Sequence, residues 1–231
     1  MLKSKLDEYL EFDSSKLFFD PLVRVFGGAI RDIICGDKIN DVDILVGANS
    51  LPKLEFILAT NGYVHQEGLI PKDLASVYSD IHVISEPHTW TKKDKVVQLI
   101  RPAKNEKLAP YGTKITDAAH RKVYQQIFLN LIENVDMSCC GVSWDGEKLY
   151  EHYPEAVNHC LQKVYQTNFG AMYSEKRHIH RKVKLESRGW KLINTMSDIR
   201  DLKIKTVLSQ KEIEYVPYQK STNLELDKID S

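Results

Sequence analysis

The feature that most constrains the fold is the stretch FGGAIRDIICGDKINDVDIL at residues 26–45. An apolar run over 22–26 is broken by two glycines, which predicts a strand that turns directly into a helix. That helix is expected over 29–35, because Gly36 is suited to the position after a helix end. Polar and apolar residues then alternate over 41–46, which predicts a second strand.

Patterning along the rest of the chain predicts further elements and no internal repeat. Helices are expected over 3–11, 50–60, 116–133, 154–164 and 174–196, and strands over 77–85, 95–101, 135–144 and 148–151. We expect a polar loop around Pro87 and a weakly patterned tail after residue 198. This order of elements predicts an α+β or α/β head followed by a small helical extension.

Composition excludes several classes of protein. Of the 231 residues, 42% are hydrophobic and 28% charged, which excludes global disorder. No apolar run approaches the length of a membrane span, and acids near the N-terminus argue against a secretion signal. The four cysteines lack zinc or disulfide-framework spacing. We therefore expect a cytoplasmic protein with reduced cysteines and no membrane partner.

The glycine pair lies where the first strand becomes a helix, a position suited to binding an anion. Because Gly27 and Gly28 have no Cβ atoms, their backbone N–H groups can approach a phosphate, and the helix N-terminus adds partial positive charge. Arg31, one turn into the helix, can reach a phosphate or pair with a nearby acid. A plain tight turn is the alternative interpretation of two glycines on their own.

Two carboxylates lie at the start of the second predicted strand. Asp41 and Asp43 project from the same strand face, with Cα atoms about 6.5–7 Å apart. Such a pair in an apolar strand repels itself unless a cation lies between the two groups, and Mg²⁺ takes carboxylate oxygens together with substrate phosphates. A solvent-facing pair at a strand end is the alternative. The nearby glycine pair favours the magnesium hypothesis.

These residues resemble a known signature. GGAIRD at 27–32 followed by DVD at 41–43 is similar to the pattern of the tRNA nucleotidyltransferase (CCA-adding) and bacterial poly(A) polymerase family, with Ile30 in place of Val. The resemblance implies an α+β nucleotidyltransferase-like head, with a mixed sheet flanked by helices, over residues 1–150. It implies a small, helical, neck-like extension with a loose tail over 151–231.

The same resemblance assigns chemistry to the motif. It implies Mg²⁺ as the cofactor, with Asp41 and Asp43 as catalytic metal ligands. It also implies a bound NTP, either ATP or CTP, whose triphosphate is held by Gly27 and Gly28, with Arg31 among the nucleotide-binding residues.

A second, looser match lies at VDMSCC, residues 135–140, in the place of the family motif Arg-Asp-Phe-Thr-Ile-Asn. Asp136 matches the Asp of that motif, whereas Val135 replaces the Arg and Ser138 the Thr. The resemblance implies a catalytic role for Asp136, facing the ribose or completing the acidic cluster. The alternative is that Asp136 only begins a strand.

The third match, over 175–190, resembles the family helix that recognises the nucleobase through Asp-x-x-Arg-x-x-Arg. Glu175 stands for the Asp, His178 for the first Arg, and Arg181 matches the second. The resemblance assigns these three residues to nucleotide binding. Because two of them differ from the family residues, the choice of base does not carry over.

This segment also carries basic residues that recur every three or four positions and so share one helix face. They are Arg177, Arg181, Lys184, Arg188 and Lys191. Like charges at this spacing destabilise a helix unless an anion compensates them, so a polyanion would explain the row. We predict that Arg177, Lys184, Arg188 and Lys191 bind RNA. A solvated cationic face is the alternative.

The sequence therefore predicts a transferase that moves an NMP from an NTP to an RNA 3′-hydroxyl, with tRNA as one candidate acceptor, and releases pyrophosphate. Two alternatives stay open. One is nucleotidyl transfer to a protein or a small molecule, and the other is a non-catalytic nucleotide- or RNA-binding module. The net charge of zero does not distinguish among them, because only the distribution of charge bears on RNA binding.

Overall fold

The structure is a computed structural model of the chain. It describes residues 1–47, 49–67, 87–100, 135–168, 175–193 and 214–219. The side chains of residues 175–177 lie outside this description. So do the strand predicted over 77–85 and the helix predicted over 116–133.

The described residues contain α-helices and short strands that alternate along the first half of the chain. The helices are α1 (Leu2–Leu10), α2 (Gly28–Cys35), α3 (Leu51–Thr60), α4 (Ala156–Gln162) and α5 (Glu175–Glu186). The strands are β1 (Arg24–Phe26), β2 (Val42–Leu45), β3 (Val64–Gln66), β4 (His88–Lys92), β5 (Lys95–Ile100), β6 (Val142–Trp144), β7 (Lys148–Glu151), β8 (Val164–Tyr165), β9 (Lys191–Leu192) and β10 (Glu214–Val216).

Eight of the described strands form one mixed sheet in the order β10-β7-β6-β1-β2-β5-β4-β3. Strand β1 runs antiparallel to β2 and β6, whereas β2 is parallel to β5 and β10 is parallel to β7. Strands β8 and β9 form a separate parallel pair. The predicted α+β class, with a mixed sheet flanked by helices, is confirmed.

The β1–α2–β2 unit forms as its sequence predicts. Gly36 ends α2 in the left-handed conformation, with φ 79°, and its N–H donates to the carbonyl of Ile33. The side chains of β2 alternate between the two sheet faces, because Val42 and Ile44 are buried while Asp43 is partly exposed. The apolar cluster that contains Val42 and Ile44 therefore lies on the face opposite Asp43, while Leu45, on the same face as Asp43, is also buried.

That core joins the N-terminal helix to the sheet. Leu6 and Leu10 of α1, Ile30 of α2, Val25 of β1 and Ile44 of β2 are all fully buried in one apolar cluster. Burying a side chain of this size contributes about 1.5–3 kcal/mol. The apolar spacing of α1 thus fixes this helix against the elements that carry the candidate site.

Five strands lie where the sequence predicts no strand, namely β3, β4, β8, β9 and β10. Strand β4 occupies the segment expected to be a polar loop around Pro87, because that proline comes just before the strand and leaves its ladder intact. Strand β10 comes from the weakly patterned tail after residue 198 and adds an edge to the main sheet beside β7. The boundary predicted at residues 150 and 151 falls inside β7.

The helix predicted over 174–196 is wrong in length, because α5 ends at Glu186. Gly189 adopts a φ of 83°, and the N–H of Trp190 donates to the carbonyl of Leu185. This is the bonding of a glycine-terminated helix, in which the left-handed residue reverses the chain. The residues after Gly189 therefore enter β9 instead of another helical turn.

The strand predicted over 135–144 is also shorter. Residues Ser138–Cys140 form a 3₁₀ turn, and only Val142–Trp144 is a strand. The predicted hairpin is present, because β6 pairs antiparallel with β7 across Asp145 and Gly146. Among the described residues, no helix has the length and apolar character needed to cross a membrane.

Two histidines are buried next to serine hydroxyls. His159 Nδ1 lies 2.7 Å from Ser138 Oγ, and His152 Nε2 lies 2.7 Å from Ser143 Oγ. Burial lowers the pKa of His159 to about 4. Burial, and then the positive charge of Arg24, lowers the pKa of His152 to about 3. Both side chains are therefore neutral in the folded protein at neutral pH.

We expect stability to fall as the pH drops below 6.5, because the unfolded chain takes up protons that the folded chain cannot bind at His152 and His159. Each histidine contributes a loss of about 1.4 kcal/mol per pH unit between its unfolded and folded pKa. Urea unfolding at a series of pH values measures this. His159→Asn should flatten the dependence, whereas the same change at exposed His180 should not. Equal slopes in the two variants would contradict the assignment.

Candidate active site

The candidate site lies where β1 ends and β2 begins. These strands are antiparallel, and Phe26 pairs directly with Asp43. The residue after Phe26 is Gly27, so the glycine turn and the acidic pair are neighbours at one end of the sheet. The structure thus brings together the two motifs that the sequence separates by about a dozen positions.

The glycine turn has a backbone that only glycine adopts readily. Gly27 has φ 69° and ψ −127° and is the N-cap of α2. Its N–H donates to the carbonyl of Val142 at 2.9 Å, which ties the turn to β6. No described side chain caps this helix end. The first amides of α2, beginning at Gly28, are therefore oriented as a helix N-terminus that favours an anion.

Asp41 and Asp43 are both partly exposed, on either side of buried Val42. Asp43 pairs with Phe26 on one side and Gln98 of β5 on the other, and both neighbours are also partly exposed. The carboxylates therefore face away from the core. Partly exposed carboxylates beside an open helix N-terminus fit a hard cation such as Mg²⁺, which takes oxygen ligands and retains water.

Tyr9 of α1 is a part of this region for which the sequence offers no functional signal. Its hydroxyl lies 2.9 Å from the carbonyl oxygen of Asn40 and accepts a hydrogen bond from the N–H of Val96 at 2.9 Å. It therefore fixes the backbone one residue before Asp41. Burial, and then nearby carboxylates that include Asp41 and Asp43, raises the pKa of Tyr9, so its hydroxyl stays protonated.

Arg31 is buried beneath the glycine turn. Its Nε donates to Asp32 Oδ1 at 2.7 Å and its Nη1 to Cys140 Sγ at 3.3 Å. The guanidinium also lies 5.5 Å from the ring centre of Trp190, and Nη2 would lie 3.6 Å from a Cβ placed on Gly28. Of the two roles considered from sequence, the structure shows the pairing with a nearby acid.

The thiol of Cys140 is the other partner of Arg31. The hydrogen bond from Cys139 lowers the pKa of Cys140, and the positive charges of Arg31 and Arg181 lower it further against the effect of burial. The Cys140 carbonyl oxygen would lie 4.0 Å from a Cβ on Gly27. The 3₁₀ turn Ser138–Cys140 thus packs directly against the glycine turn.

Asp136 is buried and forms an ion pair with Arg181 of α5. This pair joins the VDMSCC segment to the helix of the third motif. Among the described residues, Asp136 does not form a three-ligand group with Asp41 and Asp43 whose ligand atoms all lie within 4.8 Å of one another. His178, one turn before Arg181, is buried, and Glu175 is the first residue of α5.

The predicted basic row does not lie on one helix. Arg188 and Lys191 come after the end of α5, so the single cationic face expected from spacing is wrong for them. Arg188 Nη2 lies 3.1 Å from a carboxylate oxygen of both Asp32 and Asp37. Lys184 and Lys191 are exposed. The row therefore divides into cations with internal partners and cations that face solvent.

One set of three potential metal ligands lies close together in the described part of the chain. It consists of Asp32, Cys35 and Asp37, with ligand atoms within 4.8 Å of one another. Arg31 and Arg188 already contact Asp32, while Lys163 lies 2.6 Å from Asp37. Burial raises the pKa of Cys35 to about 11, so its thiol is protonated. This set suits an ion-pair network better than a metal centre.

A cavity of about 640 Å³ borders the loop that leads to the acidic pair. It is lined by Tyr9 of α1, by Ile39 and Asn40 of the loop, and by lysines and carboxylates that include Lys5 and Asp94. Its volume is that of a small-molecule site. The cavity thus adjoins the residue just before Asp41.

No family model matches the chain, and no curated protein matches it significantly. Among solved structures, a CCA-adding enzyme with CTP aligns over 90% of this chain and 45% of its own, at 15% identity and a TM-score of 0.51. A tRNA-processing enzyme with CTP covers 76% of this chain and 41% of its own, at 16% identity and a TM-score of 0.46.

A Thermotoga maritima CCA-adding enzyme complexed with tRNA aligns over 90% of this chain and 43% of its own, at 13% identity and a TM-score of 0.43. The present chain thus spans less than half the length of each of these structures. The likeness to the CCA-adding enzyme with CTP shows that this chain shares its fold, the α+β fold of a nucleotidyltransferase-like head.

Proposed function

We propose that the chain is a metal-dependent nucleotidyltransferase that transfers an NMP from an NTP to an RNA 3′-hydroxyl. The observation that carries the proposal is the pairing of Phe26 with Asp43, which sets a glycine turn at a helix N-terminus beside two carboxylates. An anion-binding turn and a cation-binding pair at one point suit a nucleoside triphosphate with its metal ion.

The triphosphate would lie against Gly27 and Gly28. The N–H groups at the start of α2 donate to its oxygens, and the absence of Cβ atoms allows a close approach. Arg31 supports this turn through its bonds to Asp32 and Cys140. Its positive charge lies below the turn and adds to the favourable potential there.

Asp41 and Asp43 would hold Mg²⁺. When bound there, the ion neutralises phosphate charge and assists loss of the acceptor proton. In the reaction the acceptor oxygen bonds to the α-phosphorus, the bond to the β-phosphate oxygen breaks, and pyrophosphate leaves. Tyr9 keeps the backbone before Asp41 in place, so the protein contributes mainly alignment and charge stabilisation.

Recognition of the base would fall to α5 and the ion pair that anchors it. Arg181 is held by Asp136, and His178 is buried one turn earlier. Glu175 begins the same helix. The proposal leaves ATP and CTP as the two candidate substrates; the matched structures include a CCA-adding enzyme with CTP and another with ATP.

The RNA acceptor would be held by the exposed cations of the basic row. Lys184 and Lys191 face solvent, and Arg177 extends the row toward the start of α5. Arg188 already contacts Asp32 and Asp37, so it contributes to RNA binding only through the positions of other groups. A matched structure is complexed with tRNA, which makes tRNA a candidate acceptor.

A second candidate is nucleotidyl transfer to a small molecule. The cavity that borders Asn40 favours it, because a volume of about 640 Å³ accommodates a small acceptor close to the acidic pair. Incubation with α-labelled NTP, Mg²⁺ and total RNA or cell extract separates the candidates. Label in RNA supports the first, and label in a small molecule or in protein supports the corresponding alternative.

Replacing Asp41 or Asp43 with Asn should abolish transfer, because each change removes a carboxylate from the cation. We expect the rate to fall about a thousandfold, the loss of roughly 4 kcal/mol of transition-state stabilisation. Incorporation of label from each α-labelled NTP measures it. Glu147→Gln, which changes an exposed acid on the β6–β7 turn, should leave transfer unchanged. Full activity in both site variants would exclude the proposed metal ligands.

Charge reversal at Lys184 and Lys191 should weaken RNA binding, because both ammonium groups face solvent and can reach phosphates. The logarithm of the RNA association constant falls linearly with the logarithm of the salt concentration. We expect this slope to become shallower by about 0.7 for each phosphate of single-stranded RNA that the variant no longer binds. Titration of labelled RNA at several salt concentrations measures this. Lys16→Glu, at an exposed position in the N-terminal segment, is the matched control. Unchanged affinity at low salt would count against this surface.

A further inference from the structure

Arg188, in the turn after α5, contacts the carboxylates of Asp32 and Asp37. Arg188 Nη2 lies 3.1 Å from Asp32 Oδ1 and 3.1 Å from Asp37 Oδ2. Lys163 Nζ lies 2.6 Å from the other oxygen of Asp37. The Asp32 side chain is 3% exposed and that of Arg188 is 20% exposed. The contact is therefore largely shielded from solvent, where ion pairs are weakly screened.

The pairing of β8 with β9 brings Lys163 and Arg188 to the same carboxylate, that of Asp37. Lys163 immediately precedes β8, and Arg188 lies three residues before β9. The N–H of Lys191 donates to the carbonyl of Lys163 at 3.0 Å, which aligns the two segments. The position of Arg188 is thus set by backbone pairing as well as by its own ion pairs.

The two carboxylates lie between the glycine turn and the acidic pair in the sequence. Asp32 is on α2, four residues after Gly28, and Asp37 lies four residues before Asp41. The N–H of Asp37 donates to the carbonyl of Asp32 at 2.8 Å. A single guanidinium therefore links the helix that follows the glycine turn to the loop that leads to the acidic pair.

We propose that Arg188 is a positioning residue, which acts through Asp32 and Asp37 to fix the glycine turn and the acidic pair relative to each other and to α5. That the groups held in place are the reacting site rests on the proposed function. The bridge, which we define as the contacts of Arg188 with Asp32 and Asp37, is observed directly. Arg188 contacts Asp32 and Asp37, so its charge is used inside the protein.

The bridge is distinct from a general contribution to stability. Asp32 keeps a second partner, Arg31, and Asp37 keeps Lys163, so neither buried carboxylate is left without a cation when Arg188 is removed. What disappears is the side-chain contact of the α5 turn with Asp32 and Asp37, while the backbone bonds between these segments remain. The single Nη2 group can face two carboxylates at once because it carries two N–H donors.

The test compares Arg188→Met with Lys182→Met, a neighbouring cation of α5 that pairs only weakly with Glu186 at 4.0 Å. We expect kcat for nucleotidyl transfer to fall about 10- to 100-fold in the Arg188 variant, the effect of a small displacement of reacting groups. KM for the NTP should change far less, because the substrate contacts remain. The Lys182 variant should match the unmodified protein.

Hydrogen exchange by mass spectrometry provides a readout that does not depend on activity. Arg188→Met should speed amide exchange over residues 28–43, far from the substitution in sequence, and Arg188→Lys should give a smaller increase. Faster exchange confined to residues 187–190 would overturn the proposal. Should Arg188→Met fail to fold, Arg188→Lys alone decides between these outcomes.

The two proposals can fail separately. If exchange changes as expected but the unmodified protein transfers no nucleotide, the bridge holds and the proposed function is wrong. If transfer occurs but Arg188→Met leaves kcat and exchange over 28–43 unchanged, the site is right and the positioning role is wrong. Asp37→Asn should reproduce the effect on kcat, and the double variant should show less than the sum of the two losses.

Discussion

The antiparallel pairing of β1 with β2 is the constraint on which the rest of the structure depends. It sets Phe26 opposite Asp43. The glycine turn that follows Phe26 therefore lies beside the acidic pair at the start of β2. A shift of one residue in this register would turn Asp43 into the apolar core and bring Val42 or Ile44 out. The buried aliphatic side chains of β2 therefore hold the carboxylates at the open face.

The local parts of this arrangement are predictable from sequence, because each has a short-range physical cause. A glycine pair breaks β1, a glycine ends α2, and alternation identifies β2. Every one of these signals lies within a few residues of its effect. The glycine that ends α5 is equally local, and giving Gly189 the weight given to Gly36 would have predicted the end of that helix.

The remaining parts depend on pairings between distant positions, for which a single sequence has no signal. Asp37 and Arg188 are 151 positions apart, and Tyr9 binds the backbone at Val96 across 87 positions. The edge strand β10 is visible only through its pairing with β7. Spacing identifies which cations share a helix face, but it does not reveal which of them meet a carboxylate inside the fold.

This division of the charges bears on the proposed function, because a chain with no net charge would attract a polyanion only through local groups of charge. Arg31, Arg181 and Arg188 form ion pairs with Asp32, Asp37 and Asp136. The pairs of Arg181 and Arg188 hold α5 and the turn after it against earlier parts of the chain. Burial raises the pKa of Asp32, and the positive charges of Arg31 and Arg188 oppose that shift. In the proposed function, Lys184 and Lys191, which are the exposed cations of the basic row among the residues whose side chains are described, would meet a polyanion together with the amides of the glycine turn. Their attraction would be short in range, because salt screens exposed charges.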